Sequence, residues 1–192
     1  TIPGLPISRF GFSTTNSEAN SVIELLRYHK NIRLQSIHMH IGTDFADEQK
    51  YAHAAKILTS FVNDTEKKIG YPIPLLDMGG GFPSFTLKPY NYETYWEPKD
   101  IEVYIRTITQ VLNKYLNSVH GKRLIVEPGR YLSDEAVVFI TSVRNVRIEH
   151  GKQQILSDGT NTLLPLVHYR PQIVLVLSPN LEVKNSIFTT YS

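Results

Sequence analysis

The sequence LLDMGGGF at residues 75–82 joins a short apolar segment to three successive glycines. Residues 74–78 are predicted to form a buried strand, because they are mostly apolar and the following glycines end regular structure. Gly79, Gly80 and Gly81 expose backbone N–H groups and let the chain approach a ligand closely, which suits a phosphate. The stretch matches neither the P-loop nor the dinucleotide fingerprint. A flexible turn is the alternative interpretation.

Segments typical of strands and of helices alternate on both sides of this stretch. The predicted strands are 6–12, 33–40, 74–78 and 123–127, and the predicted helices are 17–29, 48–69 and 101–119. Asp44 and Asp47 are placed to cap the second helix and Gly70 to end it, while Asp100 caps the third helix and Gly121 ends it. This order predicts parallel strands joined by right-handed crossovers.

The pattern changes beyond residue 134. Residues 137–149, 153–157, 173–177 and 187–191 resemble strands, and no segment between them is long enough for a helix. We therefore predict a second, mainly antiparallel β domain, with the domain boundary near residues 131–136.

The composition of the 192 residues excludes several classes of protein. A hydrophobic share of 41% and a net charge of +2 are unlike a disordered tail, a collagen-like repeat or a polycation that coats nucleic acid. The absence of cysteine excludes a disulfide framework and a zinc–thiolate site. No apolar run approaches the roughly 18–20 residues of a membrane helix. We expect a cytoplasmic protein that binds neither nucleic acid nor membrane, and a chain whose two ends are cut.

A pair of histidines lies at the end of the second predicted strand, in the sequence IHMHIGT at residues 37–43. Because strand side chains alternate, His38 and His40 should point to the same face. The carboxyl ends of parallel strands form the sites of α/β proteins. A functional pair is favoured over the plain alternative of one packed histidine and one loop residue.

An acid and a guanidinium stand close together in the sequence EPGRY at residues 127–131. Glu127 and Arg130 either pair with each other or divide the work, with the carboxylate on a protonated ring nitrogen and the guanidinium on a phosphate or carboxylate. A further candidate, Asp158 in a sequence that favours a turn, is first a turn residue and second a site residue.

These motifs, in this order and at these separations, resemble the fold-type III pyridoxal-phosphate-dependent decarboxylases. That family includes the diaminopimelate, ornithine and arginine decarboxylases, which are built on an alanine-racemase-like barrel. The SRFGF sequence at residues 8–12 is similar to a further family segment, and the resemblance runs from about residue 8 to residue 168. It implies an α/β fold: later strands of a TIM-type (β/α)8 barrel over residues 1–134, then part of a C-terminal antiparallel β domain over residues 135–192.

The resemblance implies roles for the residues that bind the cofactor, pyridoxal 5′-phosphate. His40 would stack on the ring, and Glu127 would keep the pyridine nitrogen protonated; both are the predicted catalytic residues. Asp77 would support either the glycine turn or a neighbouring contact with the ring. The predicted phosphate-binding residues are Thr43, where the family usually has serine, with Gly79, Gly80, Gly81 and Arg130, and Gly129 is a further predicted cofactor-binding residue. Arg130 is also the predicted substrate-binding residue.

Two family landmarks have no counterpart in this sequence. None of its lysines stands in the family's setting for the lysine that carries the cofactor, and the Gly-Pro-x-Cys segment that completes a partner subunit's site is absent. The resemblance therefore implies a segment of a homodimeric enzyme that is inactive alone. The substrate is expected to be a basic or diamino acid. Leu164 and Pro165 depart from the Arg-Pro pair of diaminopimelate decarboxylases, which argues against diaminopimelate. The EPGRYL sequence at residues 127–132 is more similar to ornithine-type and natural-product members of the family.

Two other functions stay open. The His-x-His pair is also a metal-ligand arrangement, which predicts a metal-dependent barrel hydrolase if Asp77, Glu127 or Asp158 supplies further ligands. A non-catalytic relative that serves as a binding or regulatory protein is the other alternative. The roles of His168 and Tyr169 are left open.

Overall fold

The computed structural model describes residues 10–84, 98–134, 136–160, 162–163 and 174–184. Its helices are α1 (Glu18–Arg27), α2 (Glu48–Ile69), α3 (Ile101–Tyr115) and α4 (Gly129–Ser133), and its strands are β1 (Ser36–His38), β2 (Leu75–Asp77), β3 (Arg123–Ile125), β4 (Val143–Glu149), β5 (Lys152–Ser157), β6 (Val176–Leu177) and β7 (Val183–Lys184). Of the predicted strand 6–12, residues 10–12 form no strand and the rest lies outside the described residues, as does the predicted strand 187–191.

Three parallel strands carry the first unit, which lies within Thr1–Pro83 and Pro98–Tyr131. Their order is β1-β2-β3, and Ile37, Leu76 and Leu124 stand side by side in register. These three side chains pack against the core formed with α2 and α3. Their neighbours along each strand therefore point to the opposite face of the sheet.

The core between this sheet and its helices is centred on three rings. Tyr51 of α2 stacks on Phe82 with ring centroids 5.0 Å apart, and Tyr104 of α3 meets Tyr51 edge-on at 5.1 Å. The other fully or nearly fully buried members of this core are Ala54, Ala55, Leu58, Val62, Leu76, Met78, Ile108 and Leu112. Each large apolar side chain buried this way contributes roughly 1.5–3 kcal/mol to folding, so the core fixes the helices against the sheet.

Local signals set both ends of α2, which has the predicted bounds. The Asp47 carboxylate accepts a hydrogen bond from the Gln49 N–H at 2.9 Å, which satisfies one of the free donors at the helix start. Gly70 ends the helix in the left-handed conformation, with φ 78°. The prediction that Asp44 also caps this helix is wrong, because its carboxylate instead pairs with Arg130.

Helix α3 ends at Tyr115, earlier than the predicted residue 119. The side chain of Asn63, on α2, donates to the Tyr115 carbonyl at 2.8 Å and accepts from the Asn117 N–H at 3.0 Å. These two bonds replace the next helical turn. Gly121 adopts a positive φ of 72° between this point and β3, so it forms a turn but does not end the helix.

The second unit lies within Ser84–Glu97 and Leu132–Ser192, and its strands pair in antiparallel fashion. Strands β4 and β5 form a hairpin whose turn residues, His150 and Gly151, both have positive φ. Two such residues match the twist of the flanking strands. Among the described residues, no helix is both long and apolar enough to span a bilayer.

Candidate functional site

The three parallel strands bring a histidine and two carboxylates together where they end. His38 stands opposite Asp77 in the register of β1 and β2, and Glu127 follows β3 by two residues. One nitrogen or oxygen of each lies within 4.8 Å of the others, with 3.9 Å between His38 Nε2 and Glu127 Oε2. The His38 and Glu127 side chains are 53% and 57% exposed. Both therefore remain accessible to a ligand at this edge.

The three glycines after β2 are required because the neighbouring backbones lie against them. A Cβ on Gly80 would collide with the Glu127 carbonyl oxygen, and a Cβ on Gly81 would collide with the Gly42 carbonyl oxygen. Gly81 also has φ 81°, which disfavours any residue with a side chain. The glycines thus let the ends of all three strands meet.

Two of the three glycine N–H groups already have acceptors. Gly79 donates to Asp77 Oδ1 at 2.8 Å, and Gly80 donates to His40 Nδ1 at 3.4 Å. Within the described ranges, the Gly81 N–H has no acceptor. Asp77 therefore supports the glycine turn, and Gly81 is the member of the trio with a donor to offer.

Both histidines lie beside the first glycine of the turn. A Cβ on Gly79 would be 2.9 Å from His40 Nδ1 and 3.2 Å from His38 Nε2. The two rings thus share one side of the chain, as the alternation along the strand predicts. The Gly80 N–H donates to Nδ1 of His40, which leaves Nε2 as the ring nitrogen on the other side of the imidazole.

Glu127 and Arg130 have different partners. Arg130 Nη2 donates to Asp44 Oδ1 at 2.7 Å. The Glu127 Oε2 atom lies 3.9 Å from His38 Nε2. Within the described residues no ion pair joins Glu127 to Arg130, so the two do not pair with each other, and their separate roles stay a prediction. Arg130 Nη1 is buried and has no hydrogen-bond partner among the described residues.

The remaining predicted residues have these positions. Thr43 is exposed and its hydroxyl makes no hydrogen bond within the described part of the chain. Gly129 begins α4, and its N–H donates to the Glu127 carbonyl at 2.8 Å. Asp158 belongs to the second unit and binds Thr141, Ser142 and Arg144 there. His168 and Tyr169 lie outside the described residues.

This set of groups fits pyridoxal 5′-phosphate. A phosphate needs donors, and Arg130 Nη1, the Gly81 N–H and the Thr43 hydroxyl are donors without partners among the described residues. A carboxylate such as that of Glu127 favours the protonated form of a pyridine nitrogen placed beside it, and an imidazole such as that of His40 offers a flat surface for a ring.

Comparison with known proteins identifies the family. Residues 3–134 match the family model described as the pyridoxal-dependent decarboxylase, pyridoxal binding domain. The chain belongs to the pyridoxal-dependent decarboxylases. This match confirms the predicted family and its cofactor, pyridoxal 5′-phosphate.

Individual proteins that are similar to this chain are also decarboxylases. The diaminopimelate decarboxylase of Aquifex aeolicus is 30% identical over 162 residues, which are 84% of this chain and 35% of the relative. The ornithine decarboxylase of Mus musculus is 29% identical over 117 residues, 59% of this chain and 22% of the relative. The chain spans about a third of the length of the first of these.

Solved structures of the same kind share the fold. The diaminopimelate decarboxylase from M. jannaschii aligns with a TM-score of 0.74 at 20% identity, over 88% of this chain and 37% of that one. The lysine/ornithine decarboxylase from Vibrio vulnificus, solved with cadaverine, aligns with a TM-score of 0.65 at 24% identity, over 88% and 44%. The predicted α/β fold, part of a barrel followed by part of a β domain, is confirmed. The domain bounds 1–134 and 135–192 stay predictions.

Sequence reasoning misses one residue of this site. Asp44 comes directly after the sequence IHMHIGT. Because helix α2 starts four residues later, the sequence favours a helix-capping role for its carboxylate. Its partner, Arg130, is 86 residues away along the chain. No local pattern signals a pair of that kind.

Proposed function

We propose that this chain is the cofactor-binding part of a pyridoxal-phosphate-dependent amino-acid decarboxylase, which removes the α-carboxylate of a basic or diamino acid. The observation that carries the proposal is the separation of Glu127 from Arg130. Within the described residues no ion pair joins the carboxylate to the guanidinium, because Glu127 lies beside His38 and Arg130 pairs with Asp44. A ligand with a basic ring and a phosphate requires both.

The ring end of the site consists of Glu127 and His40. When bound, the cofactor supplies a protonated pyridine ring that accepts the electron pair left behind as CO₂ departs. The Glu127 carboxylate would hold the proton on the ring nitrogen, since an adjacent negative charge favours the protonated form. The hydrogen bond from Gly80 fixes the His40 imidazole in one orientation, from which it would stack on the ring.

The phosphate end would be formed by Arg130 Nη1, the Gly81 N–H and the Thr43 hydroxyl. Gly79 and Gly80 would act there by their small size, because their N–H groups are already bonded to Asp77 and His40. Gly129 would contribute to cofactor binding through its position at the start of α4, immediately before Arg130. Arg130 would also meet the substrate carboxylate, as the resemblance implies.

The substrate class is supported by the relatives. The Vibrio vulnificus lysine/ornithine decarboxylase was solved with cadaverine, and the Helicobacter pylori diaminopimelate decarboxylase was solved with L-lysine. Both ligands carry two amino groups, which agrees with a basic or diamino acid as the substrate of this chain's whole protein. We further propose that the whole protein is a cytoplasmic homodimer with its site at the subunit interface.

The test is CO₂ release by the whole protein, supplied with pyridoxal 5′-phosphate and with L-ornithine, L-lysine, L-arginine or diaminopimelate in turn. We expect release from at least one of the four. The Glu127→Ala variant should lose on the order of 100-fold in kcat while still binding the cofactor. No release from any of the four would favour the non-catalytic relative, and equal, small effects of Glu127→Ala and Arg130→Ala would show that both residues are only structural.

A metal site is the second candidate, favoured by the cluster of His38, Asp77 and Glu127. Their ligand atoms lie within 4.8 Å of one another, which is close enough to converge on one ion after small rotations. The cluster leaves the glycine turn and Arg130 without a role, so we rank it second. Titration of the chain with Zn²⁺ decides between them. Binding that Glu127→Gln abolishes, together with no binding of pyridoxal 5′-phosphate, would favour the hydrolase.

A further inference from the structure

Asp44 directly follows the sequence IHMHIGT of residues 37–43 and is hydrogen-bonded to the glycine turn. Its φ is 60°, a left-handed conformation that residues with side chains seldom adopt. The Asp44 N–H donates to the Gly81 carbonyl at 2.9 Å, which ties the end of β1 to the glycine turn. The Asp44 carboxylate is only 14% exposed and accepts from Arg130 Nη2 at 2.7 Å. One residue therefore links the glycine turn to the guanidinium.

Arg130 is bonded at one terminal nitrogen and unsatisfied at the other. Nη2 is held by Asp44, whereas Nη1 is buried without a partner among the described residues. A buried charged donor without an acceptor is costly, and such a group calls for an explanation. Because the guanidinium is flat and rigid, fixing Nη2 also fixes the direction of Nη1.

We propose that Asp44 is a positioning residue for the phosphate of the ligand. By holding Nη2 of Arg130, it would orient Nη1 toward an anion bound beside the glycine turn. This inference rests on the proposed function, and the ligand class is a phosphate monoester. Asp44 would act through Arg130 and would not touch the ligand.

The negative charge of the Asp44 carboxylate affects how each substitution of this residue should change the affinity for an anion. A carboxylate near a phosphate dianion is repulsive, so the hydrogen-bond geometry and the charge of Asp44 act in opposite directions. Asparagine keeps an oxygen acceptor and tolerates the left-handed conformation, so Asp44→Asn should retain the orientation and bind the anion at least as tightly. Glycine suits φ 60° and removes the acceptor, so Asp44→Gly should fold and should lose the orientation.

The experiment is calorimetric titration of the chain with pyridoxal 5′-phosphate, inorganic phosphate and pyridoxal. We expect Asp44→Gly to bind the two phosphate-bearing probes about tenfold more weakly and pyridoxal unchanged. In an Arg130→Ala background, Asp44→Gly should have no further effect. Asp64→Asn is the matched control for the charge change, because Asp64 is exposed on α2 and has no ion pair within the described residues.

Three results would overturn the inference. Asp44→Gly could bind pyridoxal 5′-phosphate as tightly as the unaltered chain, it could lose pyridoxal to the same extent, or the unaltered chain could fail to bind inorganic phosphate. In the first case the unaltered chain still binds the cofactor, so the proposed function stands. If the unaltered chain binds neither pyridoxal 5′-phosphate nor pyridoxal, the proposed function fails as well.

Discussion

Tyr51 and Tyr104 bring two hydroxyl groups into the same aromatic cluster but satisfy them differently. The Tyr104 hydroxyl donates to the Ala46 carbonyl at 2.9 Å and accepts from the Lys99 N–H at 3.2 Å. The Tyr51 hydroxyl is buried and has no partner among the described residues. Burial raises the pKa of both phenols, so both stay protonated at neutral pH.

This difference predicts opposite effects for one chemical change. Tyr51→Phe removes an unsatisfied polar group and should raise the free energy of unfolding by about 1 kcal/mol, whereas Tyr104→Phe removes two hydrogen bonds and should lower it by about 1–2 kcal/mol. Urea denaturation of the two variants measures both values, and each variant is the control for the other. Destabilisation by Tyr51→Phe would show that its hydroxyl has a partner.

The role of a residue can be predicted from the sequence when it depends on near neighbours in the chain. The roles of Asp47 and Gly70 depend on neighbours within four residues, and the sequence places both ends of α2 correctly. The role of Asp44 depends on Arg130, and the end of α3 depends on Asn63. These contacts join distant parts of the chain, so no local pattern reveals them.

Among the elements, the β4–β5 hairpin has a carboxylate that makes it sensitive to acid. Asp158 accepts hydrogen bonds from the Thr141 hydroxyl at 2.6 Å and from the Ser142 N–H at 2.8 Å, and it pairs with Arg144. These partners, the Thr141 hydroxyl first, lower the pKa of Asp158 from 3.8 to about 2. The carboxylate form is thus favoured in the folded hairpin.

The sign of the pH dependence is set by this lowered pKa. The stabilising contribution of Asp158 is fully present above its ordinary pKa of 3.8, and it is lost as the pH falls through about 2. Amide hydrogen exchange in β4 and β5 should therefore accelerate as the pH falls through this window, after correction for the intrinsic rate. Asp158→Asn should lack this dependence. Identical pH profiles of the two proteins would contradict the assignment.

A second prediction at this scale concerns the ion pair between Lys122 and Glu66. The Lys122 side chain is 6% exposed, and its ammonium contacts both the Glu66 carboxylate and the Ile73 carbonyl, the latter at 2.9 Å. Glu66 also accepts from the Ile73 N–H at 2.6 Å. This group therefore joins the end of α2 to the segments that lead into β2 and β3.

Removing one member of this group should be expensive. Lys122→Ala leaves a largely buried carboxylate without its cation, and we expect the free energy of unfolding to fall by about 3 kcal/mol. Lys99→Ala is the matched control, because it breaks the ion pair between Lys99 and Glu48. The Lys99 side chain is half exposed. We expect a much smaller loss there. Equal losses in thermal unfolding would contradict the distinction between the two pairs.

At the scale of the whole molecule, the three short parallel strands act mainly by bringing three distant motifs together. The histidine motif after β1, the glycine turn after β2 and the Glu127–Arg130 segment after β3 are far apart in sequence, and the parallel sheet places them side by side. The order of these motifs suffices to predict the family and the cofactor. The partners of each side chain require the structure, because they depend on how the strand ends pack.

The central claim is that Glu127 serves the ring and Arg130 serves the phosphate of one ligand. Calorimetric titration of the chain with pyridoxal 5′-phosphate, pyridoxal and inorganic phosphate tests it directly. Arg130→Ala should weaken both phosphate-bearing ligands about tenfold or more and spare pyridoxal, while Glu127→Gln should weaken pyridoxal and spare inorganic phosphate. Arg144→Ala, a charge control in the second unit, should change none of the three. Failure to bind pyridoxal 5′-phosphate, or the same loss for all three ligands in both site variants, would contradict the claim.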